Sequence, residues 1–223
     1  MMKKAIKIIL LIIMIISLIN IFIWFLENNK SKGLVIKAKQ YINIDNKESI
    51  SINPKIKTIN EDIIGWLIVE NTNINYPIVQ TNNNEYYLNH DLDKNYNSTG
   101  WIFMDSSNSL DDQNLIIYGH HRRDGSMFGT IDRLIDNKNG GKIKLIIGNE
   151  TINYNIFSIY KADKEYNYRE INYKNLNKKI QEFKKRSLND YKVDINGKTQ
   201  VITLSTCDND NINRIVIHGI KIN

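Results

Sequence analysis

Residues 200–218 read QVITLSTCDNDNINRIVIH. Two β-branched apolar runs, 200–205 and 214–218, flank a short link rich in Asp and Asn. That punctuation marks two strands joined by a tight connection. The same pattern recurs upstream in GWLIVEN (65–71), INYPIVQ (74–80) and GWIFM (100–104), then in NLIIY (114–118), KIKLII (142–147) and 151–160. Eight short strands, several alternating with a period of two, predict a mainly β fold closed as an eight-stranded barrel. No internal repeat is visible.

Helical spacing interrupts this pattern in two places. In residues 33–44 apolar positions fall at 34, 35, 38, 41 and 42, which predicts a helix before the barrel. The polar stretch 45–60, containing Pro54, reads as loop with one helical turn. Between the sixth and seventh strands Tyr173, Leu176, Ile180 and Phe183 recur at i+3/i+4 spacing. They predict an inserted helix of about four turns with lysines outward. Such an insertion either walls a groove or caps the barrel, and the pattern alone does not choose.

The N-terminus has a different character. Residues 8–26 (IILLIIMIISLINIFIWFL) carry no charge. At about 1.5 Å per residue this run approaches the roughly 30 Å of a hydrocarbon core. Trp24 and Phe25 suit the interface at one end. Residues 27–30 (ENNK) offer no small-residue cleavage site, which favours an uncleaved signal anchor. Lysines lie on both sides of the span (3, 4 and 7; 30, 32, 37 and 39), so charge does not set its orientation. A seven-residue head before a large domain fits an N-in anchor. The expected organisation is a head and anchor over 1–30, a helical linker over 31–60 and a catalytic barrel over 61–223.

Composition narrows function by exclusion. With 42% hydrophobic and 24% charged residues, and only two prolines, the chain can bury an ordinary core. The net charge of +6 is spread along the sequence without a basic stripe, so nucleic acid is not an expected partner. One cysteine excludes a disulfide within the chain. No Gly-rich phosphate loop appears, and the four scattered histidines give no zinc-ligand spacing.

That single cysteine, Cys207, stands where its strand turns polar, rather than inside the apolar run. A thiol with a free pKa of about 8.5 needs a partner to become a thiolate near neutral pH. Of the histidines, His218 sits within the last strand, His90 in a polar loop, and His120 at the end of the NLIIYG strand. His120 is the best-placed partner, and adjacent His121 would point elsewhere. An oxyanion forming on a carbonyl needs a donor. Arg214, at the start of the strand after the Cys link, returns beside Cys207; an ion pair to Asp208 or Asp210 is the equally open alternative. Arg122 and Arg123 also lie near His120.

TLSTC (203–207) with Arg214 opening the next strand, and YGH (118–120) closing an earlier one, resembles the sortase signature. The likeness extends through 62–80, YYLNHD (86–91), GWIFMD (100–105) and 114–129, and the GHH…GSMFG block resembles class B sortases. The resemblance implies a membrane-anchored cysteine transpeptidase outside a Gram-positive-type cell. It implies that Cys207 forms a thioacyl enzyme with the C-terminal sorting motif of a surface protein. His120 would be the acid/base, Arg214 would align substrate or hold the oxyanion, and Ser205 would contact the peptide. The inserted helix, 171–187, would wall the peptide groove. An amine of peptidoglycan or of a lipid-linked wall precursor would resolve the intermediate, with no cofactor or metal. A pilin lysine or water is the alternative acceptor. Only six residues separate Cys207 from Arg214, a short link for the family.

Overall fold

The computed structural model describes residues 2–44, 50–137, 139–163, 165–207 and 213–222. Its first element, α1 (Met2–Lys39), is one uninterrupted helix. The sequence predicts an anchor and a separate helix over 33–44; the structure merges the first with most of the second. Gly33 costs the helix about 1 kcal/mol relative to Ala, and neighbouring packing outweighs it. Asn28, Ser31, Leu34 and Ala38, spaced by three or four residues, are buried against the barrel. Among the described residues one helix, α1, is long and apolar enough to cross a membrane, and its apolar window is wholly exposed.

The end of the predicted linker helix is instead a strand, β1 (Ile42–Ile44), antiparallel to β2 (Ile50–Ile52). Isoleucine-rich sequence of this kind is read by both periodicities, and pairing decides between them. The Ile52 N–H donates to Gly148 O at 2.8 Å, fastening this ribbon to the barrel. The expected helical turn is a 3₁₀ turn over Pro54–Thr58. Asn53 caps it by accepting from Lys55 N at 3.0 Å.

Eight strands follow: β3 (Ile63–Val69), β4 (Asn75–Val79), β5 (Phe103–Met104), β6 (Asn114–His120), β7 (Lys142–Ile147), β8 (Glu150–Asp163), β9 (Val201–Cys207) and β10 (Asn213–Lys221). They close into a barrel in the order β10-β8-β7-β3-β4-β5-β6-β9. All eight lie where the sequence pattern places them. β5 is shorter than predicted because Gly100 turns with φ +60° and Trp101 N–H donates to Tyr87 O instead of a ladder. Most neighbours are antiparallel, but β4 with β5 and β6 with β9 run parallel. A parallel pair needs a long crossover, and the chain from β7 through the inserted helix supplies that of β6 and β9.

Successive side chains of a strand face opposite sides. On β9, Ile202 and Leu204 join the main core, whereas Val201 joins a second cluster with Val216 and Ile220 of β10. That outer cluster is covered by α3 (Leu176–Arg186), which supplies buried Leu176, Ile180 and Phe183, whereas the one-turn α2 (Arg133–Asp136) adds Leu134 to the main core. Of the two, α3 carries the cluster. It is shorter than the four turns predicted, because Asn175 caps its start by accepting from Lys178 N at 2.9 Å. Tyr173 packs into the cluster from the preceding extended segment. Each fully buried aliphatic or aromatic side chain contributes about 1.5–3 kcal/mol, so the cover is a structural part of the domain.

Candidate active site

Three adjacent strands, β6, β9 and β10, build one face of the barrel rung by rung. On β6 and β9 the parallel register sets Asn114 beside Val201, Ile116 beside Thr203, Tyr118 beside Ser205 and His120 beside Cys207. From the other side, the antiparallel register sets Ile220 beside Val201, His218 beside Thr203 and Val216 beside Ser205. That ladder ends at Ser205 and Val216, and Cys207 and Arg214 each lie two residues beyond it, in phase with the same face. His120 and Cys207 therefore share a rung, and Arg214 stands at the same end of the sheet. The backbone places this rung; the side chain of Cys207 and residues 208–212 lie outside the described residues. So does the alternative ion pair of Arg214 with Asp208 or Asp210.

His120 is held from behind. Its Nε2 lies 2.6 Å from Leu88 O. A carbonyl only accepts, so Nε2 carries a proton and Nδ1 is the nitrogen that gains or loses one. Gly100 is what permits this seat. A Cβ there would stand 2.8 Å from the His120 ring, 2.7 Å from Leu88 O and 2.8 Å from Tyr87 O, at φ +60°. Sequence reasoning missed both Leu88 and Gly100. The signal for Gly100 was present, a glycine opening a strand, but nothing in the sequence couples it to His120.

On the opposite flank Arg214 Nη1 donates to Thr206 O at 3.2 Å, and Ile215 N donates to Thr206 Oγ1 at 2.9 Å. These bonds hold the guanidinium against the backbone next to Cys207. Ser205 lies two residues below Cys207 on the same face but is buried, its Oγ 2.9 Å from Tyr168 Oη. The side chain bonded to Ser205 thus comes from the extended segment before α3. Phe183 of α3 stacks on His218 at 3.7 Å between ring centroids.

The rungs below are a buried polar chain. Asn114 Nδ2 donates to Tyr168 O at 3.2 Å and to Glu170 O at 2.9 Å, so its Oδ1 must accept. Thr203 Oγ1 donates to that Oδ1 at 2.5 Å, and its lone pair receives His218 Nδ1–H at 2.9 Å. His218 Nε2 is then free to accept from Tyr160 Oη at 2.7 Å. In this arrangement of donors His218 is neutral. Complete burial holds its pKa well below the usual histidine value, with a smaller push from Lys179. This histidine is structural.

The other candidates lie off the rung of His120 and Cys207. His121 turns toward Asp132, with Nε2 3.7 Å from Oδ2. They line a cleft of about 290 Å³ with Lys161, Thr206 and Arg214. His90 stacks on Tyr86 within its own loop. Arg122 is bound locally, donating from Nε to Ser126 Oγ at 3.0 Å beside Asp124. No group of three or more metal-binding side chains converges among the described residues.

The sequence profile of the sortase domain matches residues 67–222. The chain belongs to the sortase family. Sortase B of Staphylococcus aureus is 30% identical over 227 residues, covering 95% of this chain and 93% of the relative. The structure of sortase B from Bacillus anthracis in complex with AAEK1 superposes with a TM-score of 0.77 and 27% identity. That match covers 89% of this chain and 99% of the other. A Staphylococcus aureus sortase B–substrate complex matches with a TM-score of 0.67 and 27% identity, covering 87% and 92%. This sortase is class B-like, and sortases are cysteine transpeptidases. A thiol, an imidazole and a guanidinium are residue types suited to thioacyl transfer, and positions 207, 120 and 214 gather them at one end of the barrel.

Proposed function

We propose that this sortase anchors surface proteins to the cell wall from a membrane-tethered position. Residues 1–30 form the head and anchor, 31–60 the connection and 61–223 the catalytic unit, which lies outside the membrane. The Cys207 thiolate attacks the threonine carbonyl of a C-terminal sorting motif. Arg214 N–H groups receive the developing oxyanion or align the peptide. The C–N bond breaks as His120 gives its Nδ1 proton to the leaving amine, and a thioester to Cys207 remains. An amine of peptidoglycan, or of its lipid-linked precursor, then attacks the thioester. It passes a proton back to His120 and releases the thiolate.

The observation that carries this reading is the pairing of positions 120 and 207 on one rung, with Arg214 bonded to Thr206 O beside them. The similar sortase B–substrate complex supports a substrate of the same class here. Ser205 contacts the peptide from two residues below the nucleophile, once the Tyr168 hydroxyl yields to it. The apolar N-terminal helix supports the tether.

The test is mass spectrometry of the full chain in detergent after mixing with a library of sorting peptides, with and without an added amine. The expected result is a thioacyl adduct on Cys207 that the amine converts to an amine-linked product. Cys207→Ala should abolish cleavage with the fold intact. Unchanged turnover in that variant would refute the assignment, and cleavage without any amine-linked product would make the enzyme a hydrolase.

A further inference from the structure

The end of the apolar span and the start of the barrel contact share a helix with no joint between them. Leu26 closes the apolar run, and Glu27 is already bonded to the barrel. Ser98 Oγ donates to Glu27 Oε2 at 2.5 Å, and Asn97 Nδ2 donates to Glu27 O and Ser31 Oγ, each at 3.3 Å. Lys30 Nζ lies 2.7 Å from Asp91 Oδ2, and the Asp91 side chain is fully buried. A buried carboxylate requires compensation. Here it comes from Lys30 and from the Asp93 and Asn95 N–H groups, which donate to Oδ1 at 3.0 and 3.1 Å. The loop from Asn89 to Thr99 is thus folded around one acidic group whose cation is on α1.

The same loop exposes Tyr96, 70% accessible, the most exposed large apolar side chain among the described residues of the barrel. Its backbone is tied to His90 by an isolated bridge, so the loop holds it out rather than letting it fold back. A ring with an apolar body and a polar tip suits the headgroup layer of a bilayer. Glu27 lies one helical rise, about 1.5 Å, beyond the span, so the loop that binds Glu27 sits at that layer.

We propose that the loop of residues 89–99 is an interfacial collar. It locks the barrel rigidly to the membrane-spanning helix through Lys30–Asp91 and lays Tyr96 in the lipid headgroups of the same bilayer. The barrel then has a fixed height and rotation above the membrane. The inference rests on α1 being a membrane anchor.

The test uses the full chain carrying Cys207→Ala, so that an introduced cysteine is the only thiol. Tyr96→Cys is spin-labelled and the protein reconstituted in phosphatidylethanolamine–phosphatidylglycerol vesicles. Collision with oxygen and with a water-soluble nickel complex then reports depth. The expected label is immobile and at the level of the lipid phosphates. In the Lys30→Met/Asp91→Asn double variant, which keeps the shapes and removes both charges together, it becomes mobile and several-fold more accessible to nickel. A label in bulk water, in protein that still floats with the vesicles, overturns the collar but not the anchor. So does a depth unchanged by the double variant. Protein that does not float with the vesicles overturns the anchor and the collar with it.

Discussion

Replacing Gly100 by Ala isolates what seats the His120 ring. The new methyl would lie 2.7 and 2.8 Å from two backbone carbonyl oxygens and 2.8 Å from the His120 ring, against an ordinary contact of at least 3.4 Å. The backbone oxygens belong to residues 87 and 88 and are held by the fold; the ring is the member that can move, by about 0.6 Å or more. Two costs add. Left-handed backbone costs a residue with a Cβ about 1–2 kcal/mol, and overpacking costs about 1–3 kcal/mol. Gly148→Ala separates them, because Gly148 has φ +58° and open space around its Cβ position. We expect Gly148→Ala to cost about 1–2 kcal/mol with unchanged turnover. Gly100→Ala should cost about 2–5 kcal/mol, a fall in Tm of roughly 5–15 °C for a domain of this size. It should also lose about 100-fold in kcat/KM, the scale for an ångström-sized misplacement of a reacting group. Thermal melts and peptide-cleavage kinetics on the detergent-held full chain read both quantities. A Gly100→Ala enzyme with the kcat/KM of its Gly148→Ala control would refute the argument that this glycine positions His120.

Two other outcomes follow from the same face of the barrel. His218 is buried neutral with a lowered pKa, so the unfolded chain takes up its proton first as pH falls below about 6.5. Its stabilising contribution is present above that pH and is lost on acidification, at up to about 1.4 kcal/mol per pH unit. His218→Phe should remove this slope in urea titrations between pH 6.5 and 5, and equal slopes in the two proteins would exclude the neutral, structural role. Arg214→Lys keeps a positive charge but loses the planar fork. It should lower kcat about 10²–10³-fold, the scale for one oxyanion donor, with a smaller change in KM; a loss confined to KM would assign Arg214 to peptide binding alone.

Much of the architecture is written locally. Short β-branched runs, several with period two, mark all eight barrel strands, and the polar edges of two of them mark the ends where His120 and Cys207 stand. What brings those ends together is not local. The parallel pairing of β6 with β9 is decided by how β7, β8 and α3 pack, and no pattern near either residue reports it. The same limit hid Leu88 and Gly100, which meet His120 only in the folded barrel. Residues 33–44 failed for a different reason. Leu34 and Ala38 were correctly helical, but helix continuity through Gly33 and the strand at Ile42–Ile44 are set by contacts with the barrel. In α3, Tyr173 kept helical spacing without being helical, since Asn175 offered the backbone a better start two residues later.

The parallel pairing has a consequence for the life of the enzyme before it works. Strands β6 and β9 meet only after the crossover between them has been laid down, and loop-closure entropy makes such long-range pairing slow. Before that step nothing local brings position 120 beside position 207. Under the proposed function, closing the barrel is therefore also the step that assembles the reacting pair, and an unfinished chain carries no working site.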